Sequence, residues 1–271
     1  MSLVRLGIRV RADRAEVALA QLLPILESGA EERELDGAVE YAVYGPSGEL
    51  PGVDEIRSLA GDALVDVRAE PVEDGWEVRW HEHLRPVRAG DLVVRPPWVD
   101  GSPDDLVIDP GTFFGAGTHA TTRLCLELLQ ECPPGGALCD WGAGTGVLAI
   151  AAARLGWEPV TAVELDAAAV DLIQANAARN SVELHAREGD VRAGAPPAPT
   201  VVANLPRAVL LDAARTIEPA RRRGPADVPL RVIVAGMLEG EADEVVGAFE
   251  PLGLRKRRRI EDDGWAALVL A

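Results

Sequence analysis

From Thr118 to Leu270 the chain alternates strand-like and helix-like segments, and this constrains the fold more than any other feature of its 271 residues. Short apolar runs at Ala137–Trp141, Pro159–Glu164, Val182–Arg187, Thr200–Asn204 and Leu230–Ala235 read as buried strands. Between and around them Thr118–Glu131, Thr145–Leu155, Ala167–Arg179, Arg207–Ile217 and Gly240–Pro251 read as helices. Strands separated by helices pair in parallel through crossovers, so the expected fold is α/β, a doubly wound sheet with helices on both faces. The last two strand-like segments, Arg255–Ile260 and Trp265–Leu270, flank Glu261-Asp262-Asp263-Gly264 and read as a hairpin, so one terminal strand is expected to run antiparallel.

The N-terminal region follows another pattern. Val4, Leu6, Ile8 and Val10 alternate with Arg5, Arg9 and Arg11, the mark of a half-buried strand. A helix is expected over Ala12–Ser28, with Asp13 as N-cap and Gly29 as stop. A strand over Ala38–Tyr44 leads into the turn Gly45-Pro46-Ser47-Gly48, and a short helix covers Asp54–Gly61. The expected organisation is a small α+β domain over residues 1–65, a connector over 66–76 and an α/β domain over 77–271, entered through short strands at 76–80 and 92–95.

Composition narrows the partners. Lys and Arg number 27 against 44 Asp and Glu, a net charge of −17. Residues 1–75 hold 7 Arg against 16 acids, which places −9 of that total in just over a quarter of the chain. Such charge disfavours general binding to nucleic acid or anionic membrane and is compatible with a basic protein partner. Cys125, Cys132 and Cys139 lack metal or redox spacing. The start Met1–Asp13 has no signal-peptide core, and no apolar run reaches membrane-spanning length, so a cytoplasmic protein is expected. His81 and His83 flank Glu82, but no further residue at convincing spacing joins them, so no metal site is expected.

The chemistry is carried by Leu138-Cys139-Asp140-Trp141-Gly142-Ala143-Gly144-Thr145-Gly146, a glycine-rich turn between the first core strand and its helix. Glycines there permit a tight turn and close approach of a ligand to backbone. The glycines alone also fit a dinucleotide fingerprint. Asp140 would crowd a pyrophosphate but suit a cation, and Glu164, ending the next strand, can accept both hydroxyls of a ribose. A ribose-containing ligand with a positive centre and no phosphate fits this set, and S-adenosylmethionine is such a ligand. Asp190 ends the third strand, where it either accepts from the adenine amino group or is a solvated loop acid. Asn204, ahead of Leu205-Pro206, either aims an incoming amine with its amide oxygen or caps the following helix.

A second segment is more distinctive: Asp109-Pro110-Gly111-Thr112-Phe113-Phe114-Gly115-Ala116-Gly117-Thr118-His119-Ala120-Thr121-Thr122. Together with Asp140–Gly146 and Asn204, it closely resembles the bacterial ribosomal protein L11 methyltransferases, a class I S-adenosylmethionine-dependent family. The resemblance covers roughly residues 76–271, with Phe113 and Ala116 as mild departures in the loop. It implies a Rossmann-like class I methyltransferase sheet and a small N-terminal substrate-recognition domain. It also implies N-methylation of protein amines, lysine side chains or an N-terminal amine, with free ribosomal protein L11 as partner. By position it implies that Thr122 contacts the cofactor and that Gly142, with Gly144 and Gly146, lies under it. Glu164 would hold the ribose, and Asn204 would sit beside the methyl group and the amine. Phe114, Thr118 and His119 would serve the loop or substrate. Arg207 would place a cation near the entering lysine, and Pro206-Arg207 departs from the family pattern. The rival readings are a methyltransferase acting on another protein or a small-molecule amine, a non-catalytic adenosine-ligand-binding module, and a nicotinamide-dependent dehydrogenase.

Overall fold

The computed structural model describes the chain except residues 1–2, 23–24, 27–30, 47–49, 72–83, 112, 114, 116, 195–197 and 222–228. It divides into two compact units, Met1–His83 and Leu84–Ala271. No helix of the described residues is long and apolar enough to cross a membrane.

In the first unit, β1 (Leu3–Arg11), β2 (Glu31–Leu35), β3 (Ala38–Pro46) and β4 (Leu64–Pro71) form an antiparallel sheet in the order β2-β3-β1-β4. Leu6, Ile8 and Val10 are buried with Tyr41, Val43 and Ile56, as their alternation along β1 requires. The opposite face carries charge: Arg5 and Arg9 both bond the Glu40 carboxylate, whose pKa is lowered, burial opposing but the two guanidinium groups prevailing.

Three features differ from expectation. The helix after β1 is a 3-10 turn over Ala12–Arg14 followed by α1 (Ala15–Leu22). Residues 23–24 and 27–28 of the expected helix lie outside the described residues, and Asp13 pairs with Arg11 instead of capping. β2 was hidden by its sequence, Glu-Glu-Arg-Glu-Leu, because an edge strand needs little apolar surface. Its cue is Asp36-Gly37, the two-residue turn between paired Leu35 and Ala38, with Gly37 at φ 74°. Residues 66–71 of the expected connector belong to β4, paired with β1 from Val4 opposite Pro71 to Val10 opposite Leu64. The remaining connector positions beyond Pro71, the expected strand 76–80 and the pair His81 and His83 lie outside the described residues.

The second unit opens with a small sheet of β5 (Val87–Ala89), β6 (Leu92–Arg95) and β7 (Leu106–Val107). Then come α3 (Ala120–Glu131), β8 (Leu138–Trp141), α4 (Val147–Leu155), β9 (Val160–Glu164), α5 (Ala167–Arg179) and β10 (His185–Glu188). The chain continues through β11 (Thr200–Asn204), α6 (Arg207–Arg221), β12 (Arg231–Leu238), α7 (Ala242–Phe249), β13 (Lys256–Asp262) and β14 (Trp265–Leu270). The seven strands order as β10-β9-β8-β11-β12-β14-β13. Strands β8 to β12 pair in parallel, and β14 runs antiparallel between β12 and β13. This is the doubly wound sheet with one reversed strand that the alternation predicts.

Alternating side chains feed two cores. Leu138, Ala162 and Val202 point into the layer with Leu128, Ile150 and Ile173 of α3, α4 and α5. Trp141, Val163 and Val201 point the other way, onto Leu210 and Ala214 of α6 and Phe249 of α7. The chain winds outward from β8 in one direction through β9 and in the other through β11. The strand order therefore reverses between β8 and β11, where doubly wound sheets open a crevice at their carboxyl ends.

Candidate active site

The turn after β8 is built for close backbone approach. Gly142, Gly144 and Gly146 adopt φ 69°, 55° and 81°, a region that disfavours residues with a Cβ. The N–H groups of Gly142 and Ala143 both donate to the carbonyl of Val163, at 2.9 and 3.1 Å, which seats the turn on the end of β9. A Cβ on Gly142 would fall 2.4 Å from Leu205 Cδ2, so the turn also fits against the end of β11.

Glu164 closes β9. One carboxylate oxygen accepts from Gly144 N at 2.8 Å and the other from Leu165 N at 2.7 Å. A carboxylate oxygen has two lone pairs, so each retains a position for a hydroxyl. No cation of the described residues forms an ion pair with Glu164 or Asp140. These carboxylate acceptors suit a ligand with a diol and a positive charge. The neighbouring Leu165 side chain is 58% exposed, an apolar surface at the mouth of the crevice that sequence reading passed over. A large aliphatic between two acids, Glu164 and Asp166, was the available signal.

Asp140 takes a different place from the one expected. It is 1% exposed, with one oxygen accepting from Ala149 N at 3.0 Å in the first turn of α4 and the other without a partner. Burial raises its pKa to about 7, with the Ala149 N–H opposing and the Glu164 charge adding. The strand pleat turns its side chain into the core beneath the turn, so it braces the turn and helix from below. Asp190 caps the short turn Val191–Ala193. It accepts from Arg192 N at 2.8 Å and pairs with the Arg192 guanidinium at 3.0 Å, which holds its carboxyl below the usual range.

Thr122 is also buried, 1% exposed, and its Oγ1 accepts from Asn204 Nδ2 at 3.2 Å. Its partner among the described residues is Asn204. The bond uses one of the two N–H donors of the Asn204 amide, and no described residue donates to Oδ1. Asn204 caps no helix among the described residues, since the first turn of α6 bonds back to the Pro206 carbonyl. β12 supports the same loop: Leu205 N donates to Ala235 O at 3.0 Å, and a Cβ on Gly236 would fall 2.3 Å from Leu205 O.

His119 caps α3. Its Nδ1 accepts from Thr121 N at 3.3 Å and lies 2.8 Å from Thr121 Oγ1, and its ring meets Trp265 edge-on at 4.9 Å. Burial lowers its pKa, as does Arg123, against a smaller opposing effect of Asp263. The neutral ring is the form that can accept at Nδ1. Thr118 is exposed and its carbonyl accepts from Arg123. Phe114 lies outside the described residues.

Arg207 does not present a lone cation. Its Nε donates to Glu241 at 3.1 Å and its Nη1 to Glu244 at 2.7 Å, tying the start of α6 to the start of α7. Both carboxylates raise its pKa, that of Glu244 first.

The family model for Ribosomal protein L11 methyltransferase (PrmA) matches residues 53–271, which include the whole crevice. The chain belongs to the ribosomal protein L11 methyltransferase family. Among its relatives, the Ribosomal protein L11 methyltransferase of Pelotomaculum thermopropionicum is 42% identical over 222 residues, 79% of this chain and 70% of that one. That of Symbiobacterium thermophilum is 37% identical over 226 residues, 80% of this chain and 73% of that one. The crystal structure of ribosomal protein L11 methylase from Lactobacillus delbrueckii subsp. bulgaricus superposes with a TM-score of 0.61 at 23% identity. It covers 69% of this chain and 97% of that one, and shows the shared fold. A member of this family is an S-adenosylmethionine-dependent methyltransferase, and the crevice fits that methyl donor: a glycine turn and a carboxylate with room for a diol that no cation of the described residues neutralises.

Proposed function

We propose that this chain methylates amine nitrogens of ribosomal protein L11, lysine side chains or the N-terminal amine, in the cytoplasm. The observation that carries the reading is the fixed amide of Asn204, held by Thr122 at the reversal point of the sheet. Its Oδ1 accepts a hydrogen bond from the incoming amine and aims the nitrogen lone pair. When bound, S-adenosylmethionine supplies an electrophilic methyl group on a sulfonium sulfur. The protein's part is alignment and exclusion of water. Glu164 takes the ribose hydroxyls, Gly142 to Gly146 lie beneath the methionine portion, and Leu165 covers an apolar face of the base. Asp190 reaches the adenine amino group only by sharing its carboxylate with Arg192. Asp140 acts through the turn above it.

A free lysine amine has a pKa of ~10.4 and must be neutral to attack. Arg207, compensated by two carboxylates, leaves desolvation as the main means of lowering it. The proton leaves the ammonium for water before transfer, and the methylated nitrogen then carries the positive charge that the sulfonium gives up. Residues 1–65 are proposed to recognise the substrate, and their excess of acid favours a basic protein.

Asn204→Ala tests the assignment. The expected result is a fall in kcat of about 10²-fold, the scale of lost alignment, with cofactor affinity by calorimetry unchanged. Unchanged turnover with normal cofactor binding would remove Asn204 from the mechanism.

A further inference from the structure

One fully buried polar residue joins segments far apart in sequence. Asn176, in the last turn of α5 and wholly shielded from solvent, uses every hydrogen-bonding position of its amide. Nδ2 donates to the carbonyls of Asp109 and Thr145, both at 2.9 Å. Oδ1 accepts from Asp109 N at 2.9 Å and from Arg179 Nη1 at 3.0 Å. One turn further on, Asn180 repeats the arrangement on β7, accepting from Val107 N at 2.9 Å and donating to Val107 O at 2.7 Å. Thr145 completes the link: fully buried, its Oγ1 donates to Gly115 O at 2.9 Å. The approach is so close that a Cβ on Gly115, at φ 112°, would stand 2.6 Å from that oxygen.

Asp109 at the start of the glycine-rich segment is thereby anchored by Asn176, Val107 just before it by Asn180, and Gly115 within it by Thr145. The carbonyl and hydroxyl of Thr145 both belong to the turn that lies beneath the cofactor. We propose that Thr145 and Asn176 are positioning residues that fasten the glycine-rich loop to the cofactor turn, so that seating the methyl donor sets the loop for the entering amine. The inference rests on the assignment of the turn 142–146 to the cofactor. Neither side chain faces the crevice, so both act through backbone. Such linkage has a physical basis: a buried carbonyl left unpaired is costly, so the two segments are held in the one arrangement that satisfies both.

Hydrogen exchange by mass spectrometry and steady-state kinetics test this with Thr145→Val, which keeps the shape and removes the hydroxyl, and Thr145→Ser, which restores it. In the wild type, S-adenosylhomocysteine should slow exchange in peptides spanning 107–119. In Thr145→Val the product should still bind within about threefold, but the loop should no longer respond. Its kcat on the protein substrate should fall about five- to tenfold, the scale of one lost hydrogen bond, with the cofactor KM nearly unchanged. Thr145→Ser should recover both. Loop protection and kcat that persist in Thr145→Val would overturn the proposal. So would a loss of cofactor affinity with the loop response intact, which would make Thr145 a cofactor contact. Failure of the wild type to bind S-adenosylhomocysteine would instead overturn the cofactor assignment, and the proposal with it.

Discussion

Residue identity and residue role came apart at several positions. Asp140 and Thr122 were named from motif position, and Arg207 from its place after the Asn204-Leu205 pair. In the structure their side chains bond neighbours that position along the chain does not reveal: Ala149 N, Asn204, and Glu241 with Glu244. The reason is directional: a motif gives spacing along the backbone, whereas the pleat and helix face decide where a side chain points. Asp140 shows it most clearly, since a half-paired carboxylate under the turn has a measurable signature. Its pKa is raised from 3.8 to about 7 by burial, so between those values the folded protein holds a proton that the unfolded chain has released. Its contribution to stability is therefore complete below the unfolded value and is lost as pH rises through the folded one. Asp140→Asn removes that dependence. Calorimetry without cofactor should show the wild-type Tm falling relative to the variant between about pH 4 and about pH 7, by on the order of several degrees, and level above that. Parallel profiles would mean that Asp140 is ionised or hydrated throughout. Asn176 was missed for the opposite reason. An Asn within Ala-Asn-Ala-Ala-Arg-Asn reads as a surface position, and its two-sided bonding exists only once the loop is folded against α5.

The secondary-structure elements were far more legible. In the α/β unit every expected strand and helix from α3 onward is present, because buried parallel strands and one-sided helices carry strong periodic patterns. The N-terminal unit was harder. β2 is charged and at an edge, and β4 was taken for a connector because its outer half is exposed. One detail of β12 was also invisible. A bulge lies between Ala235 and Met237, and at its centre Gly236, at φ 94°, lies against the backbone of Leu205. A side chain there must displace the segment 204–206, which the bulge and Thr122 hold from two sides. Gly236→Ala is expected to keep the fold and cofactor affinity yet lower kcat about tenfold or more, since small displacements of an aligning group are costly. Circular dichroism and calorimetry beside turnover would check it. Full activity would show that the loop does not need this support.

At the scale of the whole molecule, the opening alternation and the acidic balance bear on different questions. The alternation fixed a doubly wound sheet and, through its reversal between β8 and β11, the place of the crevice. The charge, −17 overall with −9 before residue 76, bears on the partner. Ribosomal proteins bind RNA and are correspondingly basic, so an acidic methyltransferase is electrostatically matched to one that is still free of RNA. Both bear on the proposal that the crevice carries the methyl donor and that the protein presented to it is L11. The most direct measurement is mass-spectrometric mapping of purified L11 after incubation with the full chain and S-adenosylmethionine, with Asn204→Ala in parallel. The account predicts methyl groups on lysine side chains or the N-terminal amine of L11 with the wild type and their near absence with the variant. Cofactor binding without methylated L11, or equal methylation by both proteins, would contradict it.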